Sequence, residues 1–186
     1  MDFLFEKSLQ RFSGFNSKFC STIVLMDKKI EIYTDGASRG NPGPGGYGTI
    51  LLFCEIGGKV LSRKEFSQGF RRTTNNRMEL LSVIVGLEAL KSNVYPVIVY
   101  SDSKYVVDSI TKKWVLGWVK TGFKGKKNKD LWLRYLDVAK NFQVDMRWIK
   151  GHNGHPLNER CDQLAVEAAL SNQLLVDTFF EQTEDK

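Results

Sequence analysis

The first clear pattern of apolar and polar positions begins just after Met26. Residues 30–34 (IEIYT) read as a strand that ends on Asp35. A turn-rich stretch, SRGNPGPGG, leads into two longer runs, YGTILLFCEI and VLSRKEFSQGF. Gly57-Gly58 between them predicts a hairpin turn. Asn75 to Leu90 is helical and apolar around its whole circumference, so it belongs inside rather than on a surface. VIVYSD (97–102) is a short, nearly continuous apolar run, the signature of a strand covered on both faces. Helices are expected at 103–110 and around 115–119. The glycine- and lysine-rich GFKGKKNKD then separates them from a further helix, LWLRYLDVAK. VDMRWIK alternates as a strand, GHNGHP is a loop, and a last helix begins near Asn158. Residues 171–186 end in a polar, acidic stretch and are expected to fray. Three strands followed by helix, strand, helix, helix, strand and helix predict an α/β sheet of mixed direction with helices on its faces.

Composition narrows this picture. The chain has 186 residues and 42% hydrophobic content, enough for one well-buried domain and too little for two comfortable ones. No run approaches the roughly 18 apolar residues of a membrane span. Cys20, Cys54 and Cys161 are far apart, with no CxxC or Cys/His spacing, which argues against disulfides and structural zinc and for a cytoplasmic setting. Residues 1–27 lack a clean period. They form an extension that is either dispensable or a targeting segment, since 7–26 carry Lys7, Arg11 and Lys18 but no acid. The basic excess is local: from Lys104 to Arg134, nine Lys or Arg face two acids, a net of +7 against +6 for the whole chain. Trp114, Trp118, Phe123 and Trp132 are interleaved with these lysines. A solvated lysine-rich face is the ordinary reading of such a run, and the interleaved aromatic faces set a nucleic-acid groove beside it as an alternative.

Four acids stand where burial should be costly. Asp35 follows an apolar strand, Glu79 lies within NNRMELLSVIVGL, Asp102 ends the run VIVY, and Asp162 sits early in the last helix beside Cys161. Each has an ordinary explanation alone: a turn former, a partner for Arg77 or Lys91, a helix start, or a residue favoured by the helix dipole. Four at successive element ends point instead to a shared site, because an ionised carboxylate in apolar surroundings must be paired or metal-bound. An all-carboxylate set selects hard cations, Mg²⁺ or Mn²⁺. Two such ions can clamp the attacking and leaving oxygens of a phosphodiester.

The strings YTDGASRGNPGPGGYG, RTTNNRMEL, YSDSKYV and WIKGHNGHPLNERCDQLA carry these acids in order. Together they resemble the motif set of the type 1 ribonuclease H family, in its bacterial ribonuclease HI form, over roughly Lys28 to Leu170. The resemblance implies a five-stranded mixed sheet flanked by helices, with a catalytic domain at 28–170 and a carboxy-terminal tail at 171–186. It implies endonucleolytic cleavage of the RNA strand of RNA–DNA hybrids, leaving 5′-phosphate and 3′-hydroxyl ends. Asp35, Glu79, Asp102 and Asp162 would hold two Mg²⁺, with Mn²⁺ as an alternative, and Asp35 would bridge them. His152 would assist proton transfer or product departure, whereas His155 reads as loop structure. Asn41, Asn75 and Asn76 match RNA-strand contacts, and Arg72, Thr74 and Asn128 match a DNA phosphate pocket. Trp114 and Trp118 match an aromatic pair against deoxyribose, with Trp118 also suited to anchor the segment around it. Lys120, Lys124, Lys126 and Lys127 match a basic handle.

Departures from the best-known form include a handle shorter by a few residues, Ser38 in place of Cys, Lys104 in place of Gln, and Leu157 in place of Glu. Two other readings are a ribonuclease H domain of a reverse transcriptase and a hybrid-binding module without catalysis. The absence of a polymerase segment and the intact handle oppose the first, and the four acids oppose the second. The partner expected is the hybrid duplex, bound by a monomer with no membrane attachment.

Overall fold

The computed structural model describes residues 27–151 and 153–184. Strands β1 (Lys28–Ser38), β2 (Gly43–Glu55) and β3 (Val60–Thr73) form an antiparallel meander. After α1 (Asn75–Glu88), β4 (Val97–Ser101) pairs in parallel with β1. Helices α2 (Lys104–Thr111), α3 (Trp114–Lys120) and α4 (Lys129–Ala139) follow. Then β5 (Val144–Trp148) pairs in parallel with β4, and α5 (Pro156–Ala169) closes the domain. The sheet order β3-β2-β1-β4-β5 makes β1 the middle strand of a five-stranded mixed sheet with helices on both faces, as expected.

The two faces hold separate apolar clusters, because alternate residues of β1 point to opposite sides. Ile30 and Ile32 join Met78, Leu80, Val83, Ile84 and Leu87 of α1 in the larger cluster, together with Trp132 and Tyr135 of α4. Tyr33 belongs to the smaller one with Ile50, Leu52, Cys161 and Leu164, under α5. The all-round apolar character of α1 is explained by its position, since sheet and α4 cover it together. Thr49 of β2 donates to the Ser82 carbonyl of α1 at 2.8 Å, satisfying a polar pair at the sheet–helix seam. On the other face, a Cβ on Gly48 would stand 2.1 Å from the Cys161 carbonyl oxygen, so only glycine lets α5 lie this close to the sheet.

Residues 171–184 are not frayed. Arg71 N–H donates to the Leu175 carbonyl and Leu175 N–H to the Gly69 carbonyl, both at 2.9 Å, which lays residues near 175 beside β3. Phe180, at the start of a short π-helix (Phe180–Glu184), is buried, and so is Asp177. Leu175, Val176 and Phe179 stay exposed, so the segment is held by this backbone pairing, by buried Phe180 and by Asp177, which accepts from Thr73 and Arg77. The expectation for residues 1–26 lies outside the described residues.

Candidate active site

Asp35 lies near the end of β1, where Gly36 N–H donates to its Oδ1 at 2.7 Å. Gly36 itself faces α1. A Cβ there would stand 2.3 Å from the Glu79 backbone nitrogen, so the bare glycine lets the strand and the helix backbone touch. That contact sets Glu79 beside Asp35. Asp102 leaves the end of β4, the neighbouring parallel strand, and Asp162 comes from the first turns of α5. One oxygen from each of Asp35, Glu79 and Asp102 lies within 4.8 Å of the others. All four acids line one open cleft of about 380 Å³ together with Gly36, Ala37, Ser38 and Asn75.

The electrostatics of this cleft are unfavourable without a cation. Burial, and then the charges of Asp102 and Asp162, push the Asp35 carboxyl up to about 8. Burial, and then Asp35 and Asp102, raise Glu79 well above the usual carboxylate range. Glu79 Oε1 accepts from Asn75 Nδ2 at 3.3 Å, but Oε2 is buried without a partner. Arg77, one possible partner for Glu79, is committed elsewhere, to Asp130 and Asp177. A buried, unpartnered carboxylate oxygen among mutually repelling acids fits a divalent cation, and a donor set made wholly of oxygen favours a hard one.

Asp102 is held by groups that the sequence did not flag. Asn158, a turn before Asp162 on α5, donates through Nδ2 to Asp102 Oδ2 at 3.2 Å and is only 2% exposed. Trp148 donates its indole N–H to the Asp102 carbonyl at 3.1 Å. His155 occupies the N-cap of α5 and packs against Tyr33 with ring centroids 5.1 Å apart, in keeping with a structural role. His152 lies outside the described residues.

A second cavity of about 540 Å³ gathers many of the remaining expected residues. Asn41, Thr74, Asn76, Trp114, Trp118, Lys126, Lys127 and Asn128 all line it, with Tyr105 of α2 and Phe180. Asn75 lies in the carboxylate cleft instead, and its N–H donates to Asn41 Oδ1 at 3.4 Å, which links the two. Thr74 holds the N-cap position of α1 without using its side chain as the cap, and the first turn carries no acid. Such a helix start favours an anion. Trp118 packs edge-on against buried Trp132 at 5.6 Å and carries Lys126 5.4 Å above its ring, so it both anchors the lysine-rich segment and faces the cavity. Asn128 adopts a left-handed conformation (φ 61°) and donates to the Tyr105 hydroxyl at 3.0 Å. Arg72, Lys120 and Lys124 are exposed and line neither cavity.

Residues 27–170 match the RNase H family. The chain belongs to the ribonuclease H family of enzymes. Among its relatives, the ribonuclease H of Lachnoclostridium phytofermentans is 52% identical over 159 residues, covering 82% of this chain and 99% of that one. The ribonuclease H of Rippkaea orientalis is 49% identical, covering 83% and 93%. Among solved structures, LC9-RNase H1, described as a type 1 RNase H with the type 2 active-site motif, superposes with a TM-score of 0.68 at 32% identity. That match covers 84% of this chain and 81% of the other. LC11-RNase H1, solved in complex with RNA/DNA hybrid, gives a TM-score of 0.53 at 26% identity, covering 76% and 96%. Among the described residues of this ribonuclease H family member, no helix is long and apolar enough to cross a membrane.

Proposed function

We propose that this protein hydrolyses the RNA strand of RNA–DNA hybrids to 5′-phosphate and 3′-hydroxyl products, with two Mg²⁺ held by Asp35, Glu79, Asp102 and Asp162. The observation that carries this reading is the meeting of three acid oxygens within 4.8 Å, one of them on a buried carboxylate left without a full set of partners. The cations supply charge that activates a water and offsets the negative charge developing on the phosphorus centre. The protein's own residues do the rest. The four carboxylates fix where those charges sit, and Asn158 holds the Asp102 carboxylate in one orientation.

Asn41, Asn75 and Asn76, gathered at the start of α1, are placed to read ribose hydroxyls, since an amide both donates and accepts. Thr74 and Asn128 sit in the neighbouring cavity with Trp114 and Trp118, where a DNA-strand phosphate and its sugar would lie. Arg72, Lys120 and Lys124 add charge around that cavity rather than within it. Gly151, whose added Cβ would stand 2.4 Å from Asp102 Oδ2, precedes His152 in the sequence. We assign His152 the proton transfer or product departure, since a neutral imidazole takes or returns a proton near pH 7.

The test is a labelled RNA–DNA hybrid incubated with Mg²⁺ and then with EDTA, followed by analysis of the product ends. Cleavage of the RNA strand only, abolished by EDTA, is expected. Cleavage that persists in EDTA would overturn the metal assignment, and tight binding with no cleavage would make the protein a binding module.

A further inference from the structure

Trp148 ends β5 and is 47% exposed although its indole N–H reaches the Asp102 carbonyl beside the carboxylate cleft. It pairs in register with Ser101, the residue before Asp102, and the indole N–H reaches across to the Asp102 carbonyl at 3.1 Å. The polar edge of the ring is thus satisfied, while the residue as a whole stays exposed. Lys104 places its ammonium 5.3 Å from the ring centroid. This lysine is the first residue of α2, where the positive end of the helix dipole opposes a cation and no acid in the first turn compensates it. No ion pair holds it among the described residues. An exposed cation–aromatic pair of this kind offers a ligand both a charge for an anion and a flat surface for a sugar or base.

Helix α2 divides this pair from the larger cavity. Tyr105 and Ser109 of α2 line that cavity, whereas Lys104 lies over Trp148, and α2 packs against both α3 and β5. Asn75 and Asp102 both line the carboxylate cleft, and Trp148 with Lys104 flanks it on the Asp102 side. We propose that Lys104 and Trp148 form a subsite for the strand being cut, with a phosphate adjacent to the scissile one on the ammonium and its sugar or base on the indole. The subsite rests on the hybrid-cleaving function proposed above, and extends the contact surface to the flank opposite the lysine-rich segment.

The full-length protein with Mg²⁺ and an RNA–DNA hybrid provides the test, using Lys104→Ala, Trp148→Leu and, as a control for loss of one surface charge, Lys59→Ala. Lys104→Ala is expected to raise KM about fivefold and to reduce the slope of log KM against log salt by about 0.9, the contribution of one phosphate contact. Trp148→Leu is expected to raise KM about fivefold or more with the salt slope unchanged, because stacking is not ionic. Lys59→Ala should do neither. Replacing single RNA-strand phosphates next to the cut by uncharged methylphosphonates should weaken the wild type but not Lys104→Ala. Unchanged KM and slope in both subsite variants, with the hybrid still cleaved, would overturn the subsite and leave the cleavage function standing. A Trp148→Leu loss confined to kcat would mean that the indole only positions Asp102. Sensitivity to DNA-strand rather than RNA-strand methylphosphonates would place the contact on the wrong strand. A wild type inert toward hybrids would instead remove the function on which the subsite rests.

Discussion

Asp177 grips the guanidinium of Arg77, a residue 100 positions earlier, through Nε to Oδ2 at 2.7 Å and Nη2 to Oδ1 at 2.8 Å. Arg77 is 1% exposed, and its other side is held by Asp130 at 2.8–2.9 Å. Burial works against its charge, but the two carboxylates outweigh that and hold it firmly protonated. Thr73 donates to Asp177 as well, at 2.8 Å. The end of the chain is thereby tied to the start of α1, two residues from Glu79.

Removing one partner of this clamp leaves a buried charge underpaired. Asp177→Ala is expected to cost about 3 kcal/mol and to lower Tm by about 6–12 °C in thermal unfolding. Pairing it with Arg77→Met should recover much of that loss, because an apolar replacement removes the stranded charge. Equal Tm values for the single and double variants would contradict this account.

The acid cleft destabilises the cation-free fold in a pH-dependent way. Asp35 takes up its proton at about 8 instead of the ordinary 3.8, so between those values the folded chain binds more protons than the unfolded one. Stability therefore falls as pH rises through that window. In EDTA, Tm should drop between pH 5 and pH 8. Asp35→Asn should flatten that drop and be the more stable protein at pH 8, while losing hybrid cleavage. Mg²⁺ should raise the wild-type Tm more than that of Asp35→Asn. A wild-type Tm in EDTA that rises over this range would refute the sign.

Gly36→Ala puts a Cβ 2.3 Å from the Glu79 nitrogen and 2.5 Å from the Met78 carbonyl carbon, both backbone atoms that cannot swing away. The helix must shift, taking Glu79 from Asp35. Displacement on the order of 1 Å at a reacting centre costs about 100-fold in rate. The expected result is a kcat lower by about that factor, read under saturating hybrid and Mg²⁺.

Replacing Lys124, Lys126 and Lys127 together by alanine should raise KM at least roughly tenfold and flatten the salt dependence by up to about 2.7 log units per log unit of salt. Kinetic runs from low to moderate salt measure this. An unaltered slope would show that these lysines do not meet phosphate.

The sequence revealed the site more fully than its support. Asp35, Glu79 and Asp102 were legible because an acid inside an apolar run is costly and so must have a reason to be there. The order of strands and helices followed from the apolar pattern and the turn residues between its runs. Partnerships across the fold were not legible: nothing in the spacing ties Asp177 to Arg77, or Asn158 and Trp148 to Asp102, since strand register and helix packing create those contacts. The polar end of residues 171–186 suggested fraying, yet one of its polar residues, Asp177, and buried Phe180 hold the segment in place. Gly36 stands next to Asp35 in the sequence, but its contact with α1 appears only when strand and helix are packed.

The place of β1 in the sheet has one more consequence. Over Ile30 to Thr34 its two edges are both paired, to β2 and to β4, and Asp35 follows directly. Backbone amides of such a strand exchange with solvent only when the whole domain opens, whereas those of the exposed lysine-rich loop exchange through local excursions. The molecule thus keeps its reacting centre on a strand paired along both edges and its grip on an exposed loop. On warming, KM should climb while kcat still holds, until cooperative unfolding removes both.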